Sequence, residues 1–121
     1  MNVKVADEVW VATALLHRER PAEPDFNVRE IVDRVAQENI TGRLRPGVQV
    51  HISLHCVANK RPNPGNYRML FETSRGRRRL FRPSDPFHSY REGGKTCPRP
   101  EDLPEQYLEL LRWYENEYVR G

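Results

Sequence analysis

The sequence predicts an α+β fold in which helices accompany one β-hairpin and a further helix closes the chain. Three observations carry this expectation. Residues 27–39 open with a helix-start signature and continue with apolar residues at helical spacing. Residues 67–82 alternate about the turn Ser74-Arg75-Gly76, the pattern of two antiparallel strands. Apolar residues also recur at helical intervals near both ends of the 121-residue chain. A chain of this length makes one domain.

The first helix is expected over 7–18, with Asp7 placed to act as its N-cap. Val5, Val9, Ala12 and Leu16 form one stripe, flanked by Trp10 and Leu15. Two prolines then make Arg20-Pro21-Ala22-Glu23-Pro24-Asp25 a loop, because proline interrupts the helical ladder. In the second helix Asn27 is the N-cap and Glu30, three residues on, completes a capping box. Phe26 and Ile31 are spaced for a hydrophobic staple, and Val28, Ile31, Val32 and Val35 form the buried stripe. The helix is expected to stop near Asn39, before Thr41-Gly42.

The third segment reads two ways. Val48, Val50, Ile52, Leu54 and Cys56 alternate with Gln49, His51, Ser53 and His55, which is the period of a strand. A helix opened by Pro46 at its first position fits as well. It would place Val48, Ile52 and Cys56 on one side and Val50, Leu54 and Val57 on another, so one apolar face would need a partner beyond the ordinary core.

Residues 59–66 are a loop, and strands are expected at Tyr67–Thr73 and Arg77–Arg82, with Tyr67, Met69 and Phe71 sharing a face. Pro83, Pro86, Gly93, Gly94, Pro98 and Pro100 leave 83–103 irregular, either a linker or a loop clamped onto the core. The last helix spans about Pro104–Tyr118. Its stripe of Tyr107, Leu111, Tyr114 and Tyr118 is widened by Leu108, Leu110 and Trp113. The expected organisation is thus a domain over 1–82, the irregular 83–103, and a helix over 104–121 packed back on the same domain.

The formal charge of +3 conceals a segregated distribution. Residues 1–42 and 83–121 each carry −3, while 43–82 carry +9 with Glu72 as their lone acidic residue. Arginine supplies 17 of the 20 basic residues, and its planar fork suits phosphate and base stacking better than lysine does. Such a concentration implies an anionic partner, nucleic acid first.

Helix, helix, third element and hairpin occur in the order of a winged helix-turn-helix, whose third helix enters the DNA major groove. Residues 5–82 resemble the winged-helix domains of small bacterial proteins and of restriction-associated proteins. The resemblance rests on Val9-Trp10-Val11-Ala12, on Phe26-Asn27-Val28-Arg29-Glu30-Ile31, and on Val48-Gln49-Val50-His51-Ile52 running to Cys56-Val57-Ala58-Asn59, followed by Gly76-Arg77-Arg78-Arg79-Leu80. It implies that 47–58 is a helix. The segment 83–103 and the C-terminal helix have no counterpart in it.

On that reading Gln49 and Ser53 face the groove, with His51 and His55 opposite. Arg43 and Arg45 precede the helix, where phosphate contacts fall. Lys60 and Arg61 follow it, and Arg75, Arg77, Arg78 and Arg79 form the wing. Double-stranded DNA is the expected partner, with no catalysis and no cofactor. The alternative is a protein-interaction module using the same surface, since one fold serves both.

Other motifs carry less. His51 and His55 have metal-ligand spacing, with Cys56, Cys97 and His88 as further ligands, yet the chain has no Cys-x-x-Cys and no Glu between the two histidines as in zinc proteases. Gly94-Lys95-Thr96 imitates the end of a phosphate loop, but Ser89 stands where its first glycine belongs. A Cys97–His88 nucleophile pair lacks an orienting third group. Tyr107, Leu111, Tyr114 and Tyr118 serve either the core or a homodimer contact. No apolar run reaches membrane-spanning length, the N-terminus has no signal-peptide pattern, and two cysteines make no disulfide framework, so the expected compartment is the cytoplasm.

Overall fold

Helix α1 (Val5–Glu19) runs through the middle of the computed structural model, which describes residues 2–120. Every side chain from Ala6 to His17 is buried. The sequence shows an apolar stripe, but Val11, Thr13 and Ala14 are covered as well, as befits a helix walled on more than one side. Helix α2 (Val28–Glu38), the third helix and the sheet pack against α1, and so does the C-terminal helix. Trp10, fully buried, meets the Tyr114 ring edge to face at 5.6 Å. The Thr13 hydroxyl is satisfied locally by donating to the Val9 carbonyl at 2.8 Å.

Asp7 is not the N-cap. The helix begins two residues earlier, and Lys4 precedes it in extended conformation without a side-chain cap. Asp7 lies inside the first turn, fully buried, where it pairs with Lys95 Nζ at 3.1 Å. Its carboxylate still complements the positive end of the helix dipole. Burial raises its pKa, and the hydrogen bond and charge of Lys95 oppose that rise.

The start of α2 follows the sequence closely. The Glu30 amide donates to Asn27 Oδ1 at 2.7 Å and the Asn27 amide donates to Glu30 Oε1 at 3.4 Å, closing the capping box. Asn39 ends the helix in left-handed conformation, φ 50°, its amide donating to the Val35 carbonyl.

The sheet has three antiparallel strands rather than the two of a bare hairpin. β1 (Phe26–Asn27), β2 (Leu70–Ser74) and β3 (Arg77–Leu80) are ordered β1-β3-β2. A two-residue strand leaves no periodic trace, and in the sequence Phe26 and Asn27 read only as the staple residue and N-cap of α2. Gly76 supplies the positive φ of 77° that the tight turn requires. The strands are shorter than their alternation suggests, and the register places Leu70 opposite Leu80, both fully buried. Phe71 therefore turns away from that pair and sits half-buried beneath the Arg79 guanidinium, 4.6 Å from its ring centroid.

The third segment is helical. It begins as α-helix at Val48–Val50, two residues after Pro46, and continues as a π-helical turn, His51–His55; together these are α3. The Cys56 amide reaches five residues back to the His51 carbonyl at 2.9 Å. Val48, Ile52 and Cys56 enter the core, whereas Val50 is 41% exposed.

The segment 83–103 is clamped onto the core. It forms short 3-10 turns at Ser89–Arg91 and Pro100–Asp102, and its Arg91 and Leu103 are buried. After a further 3-10 turn, Glu105–Tyr107, helix α4 spans Leu108–Trp113 and continues as a π-helical turn, Tyr114–Tyr118. Tyr107, Tyr114 and Tyr118 are all buried, and their hydroxyls donate to Glu38 Oε1, the Phe81 carbonyl and the Leu80 carbonyl. Leu111 is half-buried against the same core. These tyrosines hold α4 onto the domain, while Leu108 on the same helix is 38% exposed.

Candidate functional site

Helix α3 is fastened from its inner side by two buried arginines. Arg78, from β3, is 3% exposed and donates through Nε to the Ile52 carbonyl at 3.0 Å and through Nη2 to that of Ser53 at 3.4 Å. Arg91, from the 83–103 segment, is fully buried and donates to the carbonyls of Leu54 and His55, each at 2.8 Å. Four successive carbonyls of the last turn thus receive guanidinium donors. A helix C-terminus leaves such carbonyls unpaired and carries negative dipole charge, so cations are the apt partners there. Arg91 also reaches the carbonyls of Lys60 and Tyr67, tying the loop after α3 into the same cluster.

The outward face of α3 carries Gln49 and Val50, both exposed, and Ser53, half-exposed. His51 and His55 turn towards the following loop. The His51 ring bonds through Nδ1 to the Gly47 carbonyl at 2.8 Å and meets the His55 ring edge to face at 4.9 Å. Burial, then the neighbouring His51 and Arg91, lowers the His55 pKa. Among the described residues no group of three or more His, Cys, Asp or Glu side chains is gathered as for a metal ion.

The basic candidates separate into two sets. Arg45 pairs with the buried Glu8 at 3.0 Å and donates to the Val3 carbonyl at 2.7 Å. Arg77 pairs with Asp25 at 2.7 Å, and Arg79 makes a two-pronged pair with Asp85, both bonds 2.8 Å. Lys60 shares Glu72 with Arg78, at 3.4 and 3.2 Å. Arg78, 3% exposed, has almost no surface to offer an external partner. Arg43, Arg61 and Arg75 are the exposed remainder, with no salt bridge among the described residues; Arg61 lies over the Tyr90 ring at 5.2 Å. The acidic partners Glu8, Asp25 and Asp85 come from the two outer thirds of the chain. Charge that is segregated along the sequence is therefore partly paired in space.

The motifs that imitate other chemistries have structural explanations. A Cβ on Gly94 would lie 2.0 Å from the Asn66 carbonyl oxygen, so this glycine permits close backbone approach, and Lys95 is the partner of Asp7. Cys56 is fully buried and burial pushes its thiol pKa up; burial also raises that of Cys97. Neither cysteine has the lowered pKa of an activated nucleophile. The residue that sequence reasoning missed is Arg91. It stands among prolines and glycines with no local pattern, and its four acceptors lie 24–37 residues away in the chain.

Comparison with protein-family models, with curated proteins and with solved structures finds no match for this chain. No helix among the described residues is long and apolar enough to cross a membrane.

Proposed function

We propose that this chain is a non-enzymatic, double-stranded DNA-binding protein of winged-helix type, with α3 as its groove-reading helix. The observation that carries the reading is the asymmetry of α3. Its inner side is fixed by Arg78 and Arg91, and its outer side presents Gln49, Val50 and Ser53 to solvent. A reading helix needs such rigidity, because base contacts depend on placement within a fraction of an ångström. The order α1-β1-α2-α3-β2-β3, with β1 completing the sheet through β3, supports the same reading. Gln49 and Ser53 are the candidate base contacts. Arg43, Arg61 and Arg75 are the candidate phosphate contacts. A bacterial transcriptional regulator or a restriction-associated accessory protein, acting in the cytoplasm, fits this assignment.

A second reading, a protein-interaction module, is favoured by one observation. Val50 and Leu44 are 41% and 47% exposed, and part of the neighbouring arginine charge, on Arg45, Arg77, Arg78 and Arg79, is already paired. Titration of mixed-sequence duplex DNA at rising salt distinguishes the two. DNA binding predicts tight association at low ionic strength that falls steeply with salt. Absence of any duplex binding at low salt overturns the DNA reading, and Val50→Asp would then be the variant with which to probe protein contacts.

A further inference from the structure

A cavity of about 540 Å³ opens between the end of α1, the loop after it, the hairpin and the end of α4. No residue of α3 lines it, so it is separate from the surface assigned above. Its volume falls within the roughly 300–1,000 Å³ of small-molecule sites.

The buried part of the lining holds one uncompensated charge. His17 is neutral: its Nε2 accepts the Leu80 amide at 3.2 Å, and burial, with Arg82 and Arg79 nearby, holds its pKa down to about 3. Arg79 is neutralised by Asp85. The Asp85 carboxylate is already engaged, since it accepts both Nη groups of Arg79 and the Arg82 backbone amide. Arg82 itself is half-buried, lies over the Tyr118 ring at 4.2 Å, and gives one weak hydrogen bond, Nε to the Tyr118 carbonyl at 3.3 Å. It makes no salt bridge among the described residues. Flat apolar walls adjoin it: the half-buried Trp113, tilted against Tyr118 at 5.5 Å, and Pro21 and Pro24. Glu23, Glu117 and Arg18 stand on the exposed part of the lining.

We propose that this cavity binds a small planar aromatic monocarboxylate, with its ring against Trp113 and its carboxylate on Arg82. Arg82 is the half-buried guanidinium left without a carboxylate, so its end of the cavity calls for one negative charge, and its fork matches the two oxygens of a carboxylate. The indole face accepts an aromatic ring in stacked or edge geometry. On the exposed rim the two glutamates outnumber Arg18, which disfavours a dianion such as phosphate.

The test is calorimetric titration of the full chain with benzoate and with indole-3-carboxylate, with benzamide and inorganic phosphate run alongside. Saturable one-to-one binding of at least one acid is expected, weaker by about ten-fold in Arg82→Gln and in Trp113→Ala, with none for benzamide or phosphate. Circular dichroism checks that each variant folds. If Arg82→Gln does not fold, Trp113→Ala decides, because the half-buried Trp113 side chain makes no hydrogen bond among the described residues. The proposal is overturned if neither acid binds, if affinity is unchanged in the folded variants, or if phosphate binds as tightly as the acids. These outcomes are independent of whether the chain binds DNA.

Discussion

Arg78 Nε donates to the carbonyl of Ile52 across 3.0 Å, joining the centre of the hairpin to the middle of α3. This one bond ties together two elements 26 residues apart, and Arg78 adds bonds to Ser53, to its neighbour's carbonyl and to Glu72. Arg78→Ala leaves two helix carbonyls without donors in a dry site. It should destabilise the protein by about 2–4 kcal/mol in urea denaturation. Arg75→Ala, at the exposed turn two residues from the start of this network, should stay within about 0.5 kcal/mol of the parent. If the two variants unfold alike, the buried network is not what holds the hairpin to α3.

Arg91 makes the complementary attachment from the other side. A lysine keeps the charge, but its single ammonium cannot span carbonyls as widely placed as those of Leu54, His55, Lys60 and Tyr67. Arg91→Lys should therefore cost about 2 kcal/mol or more. Amide hydrogen exchange should show the loss concentrated at the end of α3, at Cys56 and Val57, with α1 little changed. A uniform rise in exchange across the chain would mean that Arg91 does not act locally.

The capping box of α2, the tight turn at Gly76 and the apolar stripes are legible in the sequence because each is a local matter of a few residues. The path of the 83–103 segment is not, because what fixes it is a buried arginine whose acceptors are backbone carbonyls elsewhere. Backbone carbonyls are present at every position and leave no compositional mark. The charge pattern is legible and misleading for a related reason. The sequence shows the excess of arginines in 43–82, but which of them face solvent depends on contacts such as Arg45–Glu8, Arg77–Asp25 and Arg79–Asp85, formed over 37, 52 and 6 residues of separation. Wing arginines that look equivalent in Gly76-Arg77-Arg78-Arg79-Leu80 have three different environments.

His17 gives the fold a dependence on pH. Its pKa, about 3 in the folded chain, lies below its ordinary value of 6.5. The unfolded chain therefore binds a proton that the folded chain refuses, and stability falls as pH drops through 6.5. The loss between pH 7 and pH 5 should be about 2 kcal/mol, seen as a fall of several degrees in Tm. His17→Gln offers an acceptor to the Leu80 amide and does not titrate, so its Tm should fall less over this interval. Asp7, whose pKa is raised by burial, acts with the opposite sign, but it is present in both proteins and cancels in the comparison. The lowered pKa values of Asp25, Glu30 and Asp85 matter only at lower pH, below the ordinary carboxylate values. Parallel Tm curves for parent and variant would show that His17 is protonated freely in the fold.

The paired and unpaired arginines should part company in DNA binding. A phosphate contact releases counterions, so its removal lowers the slope of log affinity against log salt by about one. Arg43→Ala and Arg75→Ala should each do this and leave Tm unchanged, because neither side chain makes a salt bridge among the described residues. Arg77→Ala should behave the other way, lowering Tm through the loss of its bonds to Asp25 and changing the slope little. Gln49→Ala should leave the slope intact and reduce the preference among duplex sequences, as loss of a base contact does. If Arg43 and Arg75 can both be removed without a change in slope, DNA does not approach α3 and the hairpin tip in the way proposed.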